Sequence, residues 1–157
     1  MLHEHRYLVR AEWTGDLGSG TSGYRDYRRA TTLSAEGRPD ILSSADRTFH
    51  GDADRWNPEA LLLAALAQCH MLSYLHQATA NGVVVVGYTD EAAGTLRTSP
   101  DGSGRFTEVV LHPVVTVAEE RMREQAARLH APAAAQCFIA ASMNFPVRHE
   151  PTILVRA

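Results

Sequence analysis

The stretch "NPEALLLAALAQCHMLSYLHQA", residues 57–78, constrains the fold more than any other part of the chain. Asn57 is a good N-cap residue, Pro58 suits the first helical position, and Glu59 follows where the helix dipole favours an acid. Asn81-Gly82 supplies a left-handed stop. The helix between them has about 24 residues and spans roughly 36 Å at 1.5 Å per residue. It is apolar on nearly every side, and no such helix can lie bare on the surface of a 157-residue monomer. A sheet covers one side; the other asks for a partner, most simply a second copy of the chain.

The remaining segments supply that sheet. "RYLVRAEWTG" alternates with period two and reads as a strand, and "YRRATTLS" and "PDILSS" as two more, turning at "AEGR". "GVVVVGYTDEAAGTLRT" and "RFTEVVLHPVVTV" form a hairpin of two long strands about "SPDGSG". "AEERMREQAARLHA" is an amphipathic helix broken near Pro132, "AAAQCFIAASM" a more apolar one, and "PTILVRA" a closing strand. Strands, long helix, strands, helices, strand: the pattern is α+β in a single domain over residues 1–157, not alternating α/β.

Composition narrows the function. A net charge of −3 points to neither nucleic acid nor an anionic membrane as a partner. The apolar run at Ala60–Ala67 is far too short to cross a bilayer. "MLHEHRYLVR" lacks the apolar core of a secretory leader, so the expected location is the cytoplasm. There, two cysteines read as thiols rather than as a secreted disulfide framework.

"GSGTSG", Gly18–Gly23, has the letters of a dinucleotide loop, but a basic, strand-like segment follows where the motif needs a helix. It is read as a hairpin loop. "CHMLSYLH" places Cys69, His70 and His76 on one helix. Cys69 and His76 stand about 10 Å apart along the axis, too far to share one metal, and His70 points about 100° away from Cys69. No C-x-x-C, H-x-x-x-H or H-E-x-x-H spacing occurs anywhere in the chain, so no metal site is expected; a metal-dependent hydrolase using some of the eight histidines is a weaker alternative.

Taken singly, Cys69 and Cys137 read as buried space-fillers. Taken together, they are the only two cysteines, each in a helical segment after a small-residue run ending in glutamine, "ALAQC" and "AAAQC". A redox pair needs one nucleophilic thiolate, a second thiol within reach, and a cation that keeps the first ionised. Arg25, Arg28 and Arg29 in "GYRDYRR" are candidates for that cation.

These segments resemble the OsmC/Ohr family, the osmotically inducible protein C and organic hydroperoxide resistance proteins. "SGYRDYRRATTLSAEG" is similar to the family's arginine-bearing segment, with Arg25 in the arginine's place. "NPEALLLAALAQCHMLSYL" resembles its central-helix motif, in which an Asn-Pro-Glu precedes the peroxidatic cysteine by ten residues. "QCFIAASMNFPV" resembles the segment with the resolving cysteine. Where family members often have a histidine three residues before that cysteine, this chain has Ala134.

The resemblance covers essentially the whole chain. It implies an OsmC-like fold, antiparallel sheets wrapped around the central helix, in an intertwined homodimer. The implied activity is a thiol peroxidase that reduces alkyl or fatty-acid hydroperoxides through a sulfenic acid and a Cys69–Cys137 disulfide. Arg25 would hold the Cys69 thiolate and Glu59 would orient Arg25. No bound cofactor is implied; the reductant is an external dithiol, a thiol protein or dihydrolipoyl group. Without the resemblance, Glu59 reads as a dipole-favoured surface acid and Arg25 as a solvated charge. The alternative function is a dimer of the same fold that binds an apolar ligand without turnover.

Glu59 raises a geometric question. Ten residues of straight helix put it about 15 Å from Cys69 along the axis and about 80° around it. Its side chain cannot span that gap, so a Glu59 that assists Cys69 comes from the partner subunit.

Overall fold

The computed structural model describes residues 4–157, so Met1–His3 of the stretch read for a leader lie outside the described residues. The chain parts into two compact units, Met1–Leu61 and Leu62–Ala157.

In the first unit, β1 (Arg10–Trp13), β2 (Thr31–Ser34) and β3 (Ile41–Ser43) form an antiparallel sheet in the order β1-β2-β3, with Trp13 opposite Thr31. The Gly-rich segment lies between β1 and β2. Asp16 closes it by accepting hydrogen bonds from the amides of Gly18 and Gly20, at 2.8 and 2.9 Å. Both glycines have positive φ, 104° and 59°, which side-chain-bearing residues rarely adopt. An internal carboxylate occupies these amides and no helix follows, so this is a hairpin loop. Among the described residues of this unit the only buried hydrophobic side chain is Ala30, while Tyr7 and Leu8 are both 87% exposed.

The long helix, α1 (Pro58–Ala80), has 23 residues. The Asn57 side chain accepts from the Ala60 amide at 2.7 Å, the N-cap bond read from the sequence. At the other end Gly82 takes φ 70°, and the Val83 amide reaches back to the Ala78 carbonyl at 2.9 Å. Burial falls on one stripe at i, i+4 spacing: Leu66, His70, Tyr74 and Ala78. Leu72, off the stripe, is 56% exposed.

Two three-stranded sheets complete the second unit. One has the order β4-β7-β9 (Val85–Asp90, Pro113–Val117, Thr152–Val155), the other β5-β6-β8 (Ala93–Thr98, Gly104–Leu111, Val147–His149). The long hairpin is present: β5 and β6 pair antiparallel about a turn where Gly102 has φ 85°. Each arm breaks partway, at Glu91–Ala92 and at His112, so its two halves join different sheets. At the break the His112 amide donates to Asp90 Oδ1 at 2.8 Å, and the Glu150 amide to the Leu111 carbonyl at 2.8 Å.

The sheets are mixed rather than purely antiparallel. β8 runs parallel to β6 and β9 parallel to β7. A parallel return needs a crossover, and the helical segment between β7 and β8 supplies it. That segment comprises α2 (Arg123–Arg128), α3 (His130–Ala135) and α4 (Phe138–Ala141). The break in the first helix falls at Leu129 rather than at Pro132, which sits in the opening turn of α3 where a missing N–H costs nothing.

Two clusters hold this unit together. Tyr74 and Ala78 of α1 pack with Val115, Val117, Ala126, Leu129 and Ala133; Leu66 packs with Val109 and Leu111. Leu66 is fully buried. Leu66→Ala is expected to cost about 2–5 kcal/mol, read as a lower denaturant midpoint at unchanged slope.

Candidate functional site

Cys69 lies one residue before the buried stripe of α1 and is half-buried; Cys137 is 1% exposed; both are free thiols. Cys137 is not within a helix. Its backbone is extended (φ −76°, ψ 101°), and it caps α4, its Sγ accepting from the Ala140 amide at 3.5 Å. The apolar run "AAAQCFIAASM" therefore divides at Gln136–Cys137, and the division turns the thiol inward. Burial is the main cause that pushes the Cys137 thiol up to about 11, followed by a side-chain hydrogen bond with Cys69; the Ala140 amide opposes both. The two cysteines expected to pair are thus brought together.

Two side-chain bonds tie this segment to α1. Gln77 donates to Gln136 Oε1 at 2.8 Å on the exposed side. On the buried side, His70 Nε2 and His130 Nδ1 lie 3.0 Å apart. Their rings are nearly coplanar, 14° apart with centroids at 5.3 Å, and meet edge to edge through that contact. The His149 ring stacks on both, at 5.3 and 5.8 Å, and Tyr74 lies 4.2 Å from His130. Desolvation is the chief reason that His70 is pushed down to about 4 and His130 to about 3. No local pattern marks this group, because its members are 60 and 19 residues apart. Among the described residues no group of three or more His, Cys, Asp or Glu side chains could hold a metal ion.

The other two expected site residues belong to the first unit. Glu59 Oε2 is buried and has no hydrogen-bond partner among the described residues. Arg25 is exposed, and no ion pair joins the two among the described residues. The arginine that is fixed in place is Arg29. Its Nη1 donates to the carbonyls of Tyr24 and Tyr27 at 2.8 and 3.0 Å, and its guanidinium lies 4.2 Å from the centre of the Tyr27 ring. Arg29 borders an apolar groove of about 520 Å³ lined by Trp13, Tyr27, Leu33, Pro58 and Leu61. Sequence reading offered Arg29 as one of three cations but could not foresee its two aromatic neighbours.

An α+β fold with a long helix opening on Asn-Pro-Glu is also that of OsmC-like proteins. The profile of the family described as OsmC-like protein matches residues 51–152, and the chain belongs to that family. Its structure is similar to that of an OsmC-like protein of unknown function from Vibrio cholerae. The TM-score is 0.84 and the identity 29%, over 94% of this chain and 99% of that one. It is also similar to an OsmC-like protein from Mycoplasma pneumoniae, with TM-score 0.74 and 16% identity over 97% and 99%. A protein from Legionella pneumophila called an organic hydroperoxide resistance protein OsmC matches with TM-score 0.68 and 18% identity over 96% and 99%. A search of curated protein sequences gives no match. Among the described residues no helix is long and apolar enough to cross a membrane.

The histidines set a pH dependence. Both have folded pKa values below the usual 6.5, so the unfolded chain binds more protons in acid and stability falls as pH drops below 6.5. Between pH 8 and pH 5 the loss is roughly 4 kcal/mol for the pair. Urea titrations across that range should show a falling midpoint, and His130→Gln should remove about half of the slope.

Proposed function

We propose that this chain is a cysteine-based peroxidase that reduces organic hydroperoxides, alkyl or fatty-acid, to the corresponding alcohols. The observation that carries the reading is the meeting of the chain's only two cysteines as free thiols, one half-buried on α1 and one buried at the α4 cap. In this reaction the Cys69 thiolate attacks the distal peroxide oxygen. An S–O bond forms, the O–O bond breaks, and the leaving alkoxide takes a proton to become the alcohol. Cys137 then attacks the sulfenic sulfur. An S–S bond forms, and the departing hydroxide carries off the Cys137 proton as water. An external dithiol, a thiol protein or dihydrolipoyl group, reduces the disulfide; no bound cofactor takes part.

Arg25 serves this chemistry by donating to the thiolate and to the peroxide oxygen, and Glu59 by holding the guanidinium in a bidentate pair. The buried Glu59 oxygen that lacks a donor supports such a role, since an orphaned buried carboxylate oxygen is costly. Its place in the first turn of α1 keeps it from the Cys69 of its own helix. The working site is therefore shared in a homodimer, Cys69 and Cys137 from one subunit and Glu59 with Arg25 from its partner. The bare apolar surface of the first unit, Tyr7, Leu8 and Val9 among it, supports a second copy as its cover. The groove beside Arg29 favours a second reading, an apolar-ligand-binding dimer without turnover.

A single-turnover reaction with cumene hydroperoxide followed by a thiol count separates the two. The peroxidase loses two thiols per chain, the binding protein none. Cys69→Ser should abolish turnover. Cys137→Ser should consume one equivalent of peroxide and stall, and a reversal of the two behaviours would overturn the assignment. Mixing Cys69→Ser with the double variant Arg25→Ala/Glu59→Ala under subunit exchange should restore one working site per heterodimer. No recovery despite confirmed exchange would place the site within one chain.

A further inference from the structure

The clustered histidines beside the cysteine pair take no part in the peroxide chemistry. His70 follows Cys69 on α1, His130 opens α3 seven residues before Cys137, and His149 ends β8. His70 is 2% exposed and His130 1%, and the bond between them is the buried one of the two that tie the Cys137 segment to α1. Two neutral rings can make it, one donating and one accepting. A proton added to the accepting nitrogen leaves two N–H groups facing across 3.0 Å, and the bond is lost.

Nothing nearby would compensate that charge. His130 Nε2 is buried and finds no hydrogen-bond partner among the described residues. The groups around the pair are His149, itself a potential cation, and the Tyr74 ring, whose hydroxyl is spent on the Ala126 carbonyl at 3.1 Å. Tyr88 of β4 stands 5.8 Å behind Tyr74 with Asp90 beyond it. Asp90 already accepts from the His112 amide, and burial pushes its carboxyl up. Elements α2 and β7 contribute Ala126, Leu129, Val115 and Val117 to the core around Tyr74. Glu150, next to His149, pairs with His112 at 3.7 Å, and Arg148 with Glu108. No carboxylate hydrogen-bonds to His70, His130 or His149 among the described residues.

We propose that the neutral His70–His130 hydrogen bond is a protonation-sensitive clasp that positions the Cys137 segment against the Cys69 helix, so that acid releases Cys137 from its partner thiol while the sheets stay folded. His130 is the positioning residue. It acts on disulfide formation through the placement of α3 and α4, not by touching substrate. The Gln77–Gln136 bond, exposed and without a titrating group, cannot replace it. Opening the segment lets both rings take protons near the ordinary histidine value. Between pH 8 and pH 5 the open population is then expected to rise on the order of a thousandfold, about thirtyfold from each histidine.

The inference rests on the pairing of Cys69 with Cys137 described above, and its test uses no peroxide, so the two can fail separately. Cys69→Ser leaves Cys137 as the one thiol of the chain. Its reaction with 4,4′-dithiodipyridine, which forms a mixed disulfide and releases a coloured thiopyridone, is followed from pH 8 to pH 5. Each rate is divided by that of N-acetylcysteine at the same pH, and far-ultraviolet circular dichroism tracks the fold. The expected result is a normalised rate that climbs by two to three orders of magnitude with unchanged dichroism. In Cys69→Ser/His130→Gln, where an amide faces His70 without titrating, the climb shrinks by about thirtyfold. A flat profile in Cys69→Ser alone overturns the proposal, as does an equal climb in the His130→Gln protein.

Discussion

The second unit depends on one requirement: the stripe that α1 buries is half polar. Leu66 and Ala78 need only apolar neighbours, whereas His70 and Tyr74 must find hydrogen-bond partners where water is excluded. Tyr74 reaches the Ala126 carbonyl of α2, and His70 meets His130 of α3. Each bond fixes the position of a crossover helix on α1. An all-leucine stripe would bury as much area and specify far less, since apolar packing alone tolerates sliding.

The same requirement explains why the two thiols differ. Cys69 sits beside the buried stripe and keeps some exposure, while Cys137 follows a helix already pinned from within. A thiol turned inward at an α4 cap loses more hydration than the Ala140 amide returns, so it stays protonated. That state suits the resolving role proposed for Cys137, because such a thiol has no use for a charge until a sulfenic acid faces it, and the departing hydroxide then takes its proton.

The first unit is unfinished in a different sense. Among its described residues the buried hydrophobic side chain is Ala30, next to β2, while Tyr7, Leu8 and Val9 are exposed and Glu59 Oε2 finds no donor. Both features are costly in an isolated subunit, and the proposed homodimer would relieve them. Arg29 shows how a cation stays beside an apolar groove: two carbonyls and two tyrosine rings hold it there.

The sequence by itself determined the elements whose signals are local. Asn57, Pro58 and Gly82 set the ends of α1, period-two alternation marked β1, the turn at Gly102 marked the β5–β6 hairpin, and the central-helix motif pointed to the family. Each of these rests on residues within a few positions of one another. Tertiary structure alone decided the breaks that send each hairpin arm into two sheets, the parallel pairing of β8 and β9, the cap at Cys137 and the histidine cluster. Strand β8 is three residues long, too short for a period to show. His70 and His130 are 60 residues apart, and an isolated histidine carries no mark of the ring it will face. Partners chosen by packing across such separations depend on which surfaces meet, and local propensity does not encode that.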